Sequence, residues 1–155
     1  MKVYLDNDMV SSIARGDMPE DVEGALMQLL ELKDVGSLEL VTSEVSFKEI
    51  EGYKGKDERI LRVVYLLLEK VRSAPTVPLT GVPRTRFFTD PVYSQLRALL
   101  KEEDALHVFQ AIKNRVNVFL TLDGGILARK GEIKRWHMDV LKPNEVLEKL
   151  RSRHE

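Results

Sequence analysis

At 155 residues the chain fits a single domain and is long enough to bury a substantial core. With no cysteine it can form no disulfide, thiol nucleophile or cysteine-based zinc site, and 24 Lys+Arg against 25 Asp+Glu leave no global basic field, so any nucleic-acid contact must come from local patches. No apolar run reaches the roughly 20 residues that span a bilayer, and the N-terminus enters a strand instead of a basic, apolar leader, so a soluble, cytoplasmic protein with no membrane association is expected.

In chain order, Lys2 to Leu5 reads as a short buried strand and Met9 to Ala14 as the helix after it. From Glu20 to Lys33, Val22, Ala25, Leu26, Leu29, Leu30 and Leu32 recur at helical spacing, with Gly36 placed to end the helix. Leu38 to Val41 is a second strand, and Thr42-Ser43 caps a helix that carries Val45, Phe47, Glu49 and Ile50. Arg59 to Val71 is a strongly apolar helix. Pro75, Pro78, Pro83 and Pro91 then leave room for only a short strand near Val77 to Leu79. Pro91 to Leu100 and Asp104 to Lys113 read as helices, Val116 to Leu122 and His137 to Leu141 as strands, and Asn144 to Arg151 as the closing helix. Strands that alternate with helices predict an α/β fold, a central and mainly parallel sheet covered by helices on both faces, because parallel strands need crossover connections.

Four acidic residues stand at strand ends and helix starts of this pattern: Asp6 after Val3-Tyr4-Leu5, then Glu49, Asp104 and Asp123. In open α/β sheets the ligand site forms beyond the carboxyl ends of the strands at the topological switch point, and right-handed crossovers would bring all four acids to that rim. Carboxylates gathered there can hold divalent cations, which points to phosphate-ester chemistry. Thr121, two residues before Asp123 on an extended segment, shares its face and can hydrogen-bond a carboxylate or phosphate. Plainer roles compete with these. Asp6 and Asp123 could be ordinary strand-end acids, Glu49 a solvated helix residue, Asp104 and Ser43 helix N-caps, and His107 a packing residue one turn after Asp104.

The segments Val3-Tyr4-Leu5-Asp6, Thr42-Ser43-Glu44-Val45-Ser46-Phe47-Lys48-Glu49, Glu103-Asp104-Ala105-Leu106-His107-Val108 and Phe119-Leu120-Thr121-Leu122-Asp123 resemble, in order and spacing, the acidic motifs of PIN-domain ribonucleases. The closing Met138-Asp139-Val140-Leu141-Lys142-Pro143-Asn144-Glu145 is similar to that family's last strand, proline and helix. The resemblance covers almost the whole chain apart from about Lys54 to Thr89. It implies a three-layer α/β/α sandwich over residues 1–155, with Mg²⁺ or Mn²⁺ held by Asp6, Glu49, Asp104 and Asp123. It also implies hydrolysis of single-stranded RNA, as by the toxins of prokaryotic toxin–antitoxin pairs, and hence a cognate antitoxin and a homodimer. Asp6 and Asp104 would be the primary ligands, with Glu49 and Asp123 completing the cage and Thr121, Ser43 and Asn7 around it. The chain departs from the pattern at Asn7, where a small hydroxylic residue is usual, at the additional acid Asp8, expected to lie beyond the cage, and at Gly124-Gly125 after the fourth acid.

Two further readings stay open. Asp6-Asn7-Asp8-Met9-Val10 after a strand also fits the start of haloacid-dehalogenase-type phosphatases, with Asp6 as nucleophile and Asp8 as acid/base, although Glu49 and Asp104 then have no role. A PIN-like module that binds RNA or protein without cleaving it is the other. The apolar helix Arg59 to Val71 carries more apolar surface than one face against a sheet should use, so it is the expected dimer contact. Arg84, Arg86, Lys54 and Lys56 are candidate phosphate contacts.

Overall fold

The computed structural model describes residues 1–34, 36–42 and 89–153. Glu49, Ser43, the helix expected over Arg59 to Val71, the short strand near Val77 to Leu79 and the basic residues at 54, 56, 84 and 86 lie outside the described residues. Strand β1 (Lys2–Leu5) leads into helices α1 (Asn7–Arg15) and α2 (Glu20–Asp34), then β2 (Glu39–Val41). After residue 88 come α3 (Pro91–Leu99), α4 (Glu102–Lys113) and β3 (Val118–Leu120). Two short helices follow, α5 (Gly124–Leu127) and α6 (Lys130–Ile133), then a 3-10 turn at Lys134–Trp136, β4 (Asp139–Leu141) and α7 (Pro143–Arg153).

The strand order is β2-β1-β3-β4 with every pairing parallel. Alternation along each strand divides the core into two layers. Val3, Leu5, Leu40, Val118 and Leu120 pack beneath Leu26, Leu29 and Leu30 of α2 and Val146 and Leu147 of α7. Tyr4, Val41, Phe119 and Val140 face the opposite layer, with Leu96 of α3 and Val108 and Phe109 of α4. A sheet buried on both sides must be apolar at every position, which is why the strands read as unbroken hydrophobic runs. β2 lies on one side of β1 and β3 on the other, so the chain reverses direction across the sheet at the β1/β3 boundary. That boundary is the switch point, and it is where Asp6 and Thr121 emerge.

Element ends are shaped by local chemistry. Gly36 takes a left-handed φ of 80° as α2 ends, and its N–H donates to Lys33 O at 3.1 Å. Asp90 caps α3, its Oδ1 accepting from Val92 N at 2.8 Å, with Pro91 in the first turn where a missing N–H costs nothing. The third strand is shorter than expected. Thr121 N still reaches Leu141 O, but the next amide, Leu122 N, is given to Asp8 Oδ2 at 3.0 Å instead of the ladder. The fourth begins at Asp139 and not His137, because His137 sits at φ 61° and closes the 3-10 turn through its N–H to Lys134 O.

Asp139 accepts from the ammonium groups of both Lys134 and Lys149 and so ties the 3-10 turn and α7 to β4. Burial pushes its carboxyl up, but the two lysine hydrogen bonds and charges outweigh that and hold it below its ordinary value. A depressed carboxylate stabilises the fold above its unfolded pKa and loses that contribution as pH falls through the folded value. Lys134 is largely exposed, so screening limits the gain to about 1 kcal/mol or less. Asp139→Asn should therefore lower Tm by about 2–4 °C at pH 7 and by nothing near pH 3 in calorimetric scans. An equal loss at both pH values would show that the effect is packing and not charge.

Candidate metal centre

The rim is built by the parallel register. Asp6 leaves β1 with its N–H donating to Leu120 O at 3.0 Å, so its carboxylate opens beside the end of β3. On the other flank Thr42, at the end of β2, donates its hydroxyl to Leu5 O at 3.1 Å and fixes the end of β1. Asp6 is 5% exposed and Thr121 is fully buried. An ionisable group this deep on a strand end has no packing rationale and has to be satisfied by its neighbours.

Thr121 is the hub of the site. Its Oγ1 lies 2.7 Å from Asp6 Oδ2 and 3.2 Å from Asp8 Oδ1, and it accepts from Asp123 N at 3.0 Å. One hydroxyl thus orients three acidic residues. Asp8, expected beyond the acidic group, instead stands directly against Asp6, with its other oxygen accepting from Leu122 N. The cause is the immediate start of α1: its first turn folds the residue two after Asp6 back over the end of β3, where a free amide and a hydroxyl are waiting. Burial first, then the Asp6 charge and a hydrogen bond to Asp6, push the Asp8 carboxyl up to about 7; the Leu122 and Thr121 hydrogen bonds only partly oppose this.

Asp123 caps the short helix α5, its Oδ1 accepting from Ile126 N at 3.0 Å. A Cβ on Gly125 would stand 3.1 Å from that same oxygen, so a glycine there leaves the carboxylate its place. Asp104 lies in the first turn of α4, and the cap position belongs to Lys101, whose side chain makes no capping bond. Burial pushes the Asp104 carboxyl up, and the Asp123 and Glu103 charges add to it, against weaker opposition from Lys101 and His107. Asp104 and Asp123 therefore sense each other, as Asp6 and Asp8 do. Asn7 opens α1.

His107 is buried, with Nδ1 2.9 Å from the Tyr4 hydroxyl, and Tyr4 stacks on Phe119 with centroids 5.1 Å apart. That network belongs to the core under the site, consistent with a packing role.

Among the described residues no group of three or more His, Asp or Glu side chains stands close enough to hold one ion. What the structure assembles is two acidic pairs, Asp6 with Asp8 and Asp104 with Asp123, joined through Thr121. Their donors are all oxygen, and the Asp6–Asp8 contact concentrates negative charge in a buried place. Both features suit Mg²⁺ or Mn²⁺, hard ions that keep several waters and need only one or two carboxylates each. Asp8 was underrated in the sequence because its acid sits two residues from Asp6, a spacing that a strand would turn to the same face but that a helix start does not normally close.

No family model matches the chain, and no curated protein matches it. Among solved structures it resembles VapBC2 from Rickettsia felis, crystallised bound to a DNA fragment from their promoter. The TM-score is 0.54 at 14% identity, over 91% of this chain and 98% of that one. At that identity the likeness is one of fold, and the fold is the parallel, PIN-like α/β arrangement expected from the sequence.

Proposed function

We propose that the chain is a divalent-metal-dependent endoribonuclease that hydrolyses phosphodiester bonds of single-stranded RNA, acting as a toxin restrained by a cognate antitoxin. The observation that carries this reading is the convergence of Asp6, Asp104 and Asp123 around Thr121 at the carboxyl ends of β1 and β3. Asp6 and Asp104 would hold Mg²⁺ or Mn²⁺, with Asp123 and Glu49 completing the set. When bound, such ions supply an activated water and offset the charge that develops in an in-line displacement at phosphorus. The chain's own part is placement. Thr121 holds the Asp6 and Asp123 segments together, Gly125 keeps the Asp123 carboxylate in position, and the buried floor of Tyr4, Phe119 and His107 keeps the rim rigid. The fold shared with VapBC2, a complex that binds promoter DNA, supports a protein partner of the same kind, and a homodimer fits the apolar segment Arg59 to Val71.

Cleavage of a labelled single-stranded RNA should require Mg²⁺ or Mn²⁺ and stop when EDTA is in excess; undiminished cleavage in EDTA would sink the metal assignment. One observation favours the phosphatase alternative: an Asp8 carboxyl raised to about 7 beside Asp6 suits a general acid. Turnover of a small phosphomonoester, lost in Asp8→Ala, would establish that reading, and RNA cleavage without phosphomonoester turnover would dismiss it. Tight RNA binding with no cleavage of any tested RNA would leave the non-catalytic module.

A further inference from the structure

Two buried carboxylates in hydrogen-bond contact need a compensating proton or cation, because neither can be ionised beside the other without a large cost. At the Asp6–Asp8 contact the available partners are few. Leu122 N serves Asp8 Oδ2, and the Thr121 hydroxyl, with a single proton, lies nearer Asp6 Oδ2 than Asp8 Oδ1, at 2.7 against 3.2 Å. Burial, Asp6, Leu122 and Thr121 dominate the surroundings of Asp8, and none of them brings a positive charge. Each carboxylate has about four lone-pair sites, so these bonds leave acceptors on both residues facing the shared space.

We propose that Asp8 is a ligand of the same cation site as Asp6, so that one divalent ion takes the place between the two carboxylates while Thr121 and the Leu122 amide hold them in position. This rests on the metal-dependent reading of the site and adds a fifth acid to it, one that the motif pattern leaves outside. It also gives a physical reason for the departure at positions 7 and 8: a carboxylate two residues after the strand-end acid raises the negative charge offered to the ion, and the early start of α1 brings it within reach. Higher ligand charge on a hard-cation site raises affinity.

The test is a calorimetric titration of Mn²⁺ alone into the intact, metal-free protein at pH 8, without RNA. Asp8→Asn keeps the shape and the acceptor for Leu122 N, so it should fold, which thermal unfolding verifies, while binding Mn²⁺ at least tenfold more weakly. Asp8→Glu, which restores the charge on a longer arm, should recover part of that loss; a merely structural role for Asp8 would give no such rescue. Asp6→Asn should weaken binding at least as much as Asp8→Asn. Binding by Asp8→Asn within twofold of wild type, with Asp6→Asn strongly impaired, would overturn the inference and leave the nuclease reading standing. Asp8-dependent Mn²⁺ binding by a protein that cleaves no RNA would support it while removing that reading. Failure of the wild type to bind Mn²⁺ at millimolar concentration would overturn both.

Discussion

Asp6→Asn and Asp104→Asn should each reduce Mg²⁺-supported RNA cleavage by on the order of 10²-fold or more, the loss typical when a group that stabilises the charge of the transition state is removed. The two residues come from opposite ends of the chain and sit in different surroundings. Asp6 is buried at the end of β1 and bonded to Thr121; Asp104 is partly exposed in the first turn of α4, beside Asp123. A loss common to both is therefore not explained by damage to one local structure. Asn is close in shape to Asp and still accepts from Thr121, so the folded state should survive in each variant, and matching thermal unfolding curves would confirm it. Activity within a few-fold of wild type in either variant would remove that residue from the site.

The parallel architecture was legible because buried parallel strands need apolar residues on both faces, and Val3-Tyr4-Leu5 and Val118-Phe119-Leu120 supply them without interruption. Helices α2 and α4 were equally plain, since their apolar stripes have to match the sheet they cover. Ends were harder. Nothing local in Val116 to Leu122 announces that Leu122 N will leave the ladder for Asp8, because the acceptor is more than a hundred residues away. His137 carries a β-compatible neighbourhood in Met138-Asp139-Val140, yet the tightness of the preceding 3-10 turn forces it into the left-handed region.

The site was legible in proportion to how far its residues depend on strand ends. Asp6 and Asp123 follow apolar runs directly, so a parallel sheet places them on one rim with no further information. Thr121 was visible as a same-face neighbour, but its role as the hub that contacts Asp6, Asp8 and the Asp123 amide needs the β1/β3 register. Asp8 was hidden because its position depends on where α1 begins. A helix starting at Met9 would have let the Asp6-Asn7-Asp8 stretch continue outward, whereas one starting at Asn7 turns Asp8 back onto the sheet.

The metal-free protein should be markedly less stable at pH 8 than at pH 5, and Asp8→Asn should abolish most of that difference. Burial and the Asp6 charge raise the Asp8 carboxyl from 3.8 in the unfolded chain to about 7 in the fold. A carboxyl whose folded pKa is raised binds its proton more tightly in the native state. Its stabilising contribution is thus complete below the unfolded value and lost as pH rises through the folded one, here across about pH 4 to 7. Asn is neutral throughout, so the variant behaves at pH 8 as the wild type does at pH 5. Asp8 is partly open to solvent, and after screening the penalty relieved at pH 8 is on the order of 1–3 kcal/mol, a rise in Tm of about 3–8 °C for a chain of this size. Added Mn²⁺ should reverse the ranking at pH 8, because a ligand that binds only the native state stabilises by about 2.7 kcal/mol at a hundred times its Kd, and the wild type binds it more tightly than the variant. At pH 5 the metal should do little for either protein, since it must displace the proton on Asp8. Scanning calorimetry of both proteins at pH 5 and pH 8, with and without Mn²⁺, reads all of these effects. A wild type whose metal-free Tm is no lower at pH 8 than that of Asp8→Asn would show that the Asp6–Asp8 contact carries no electrostatic penalty.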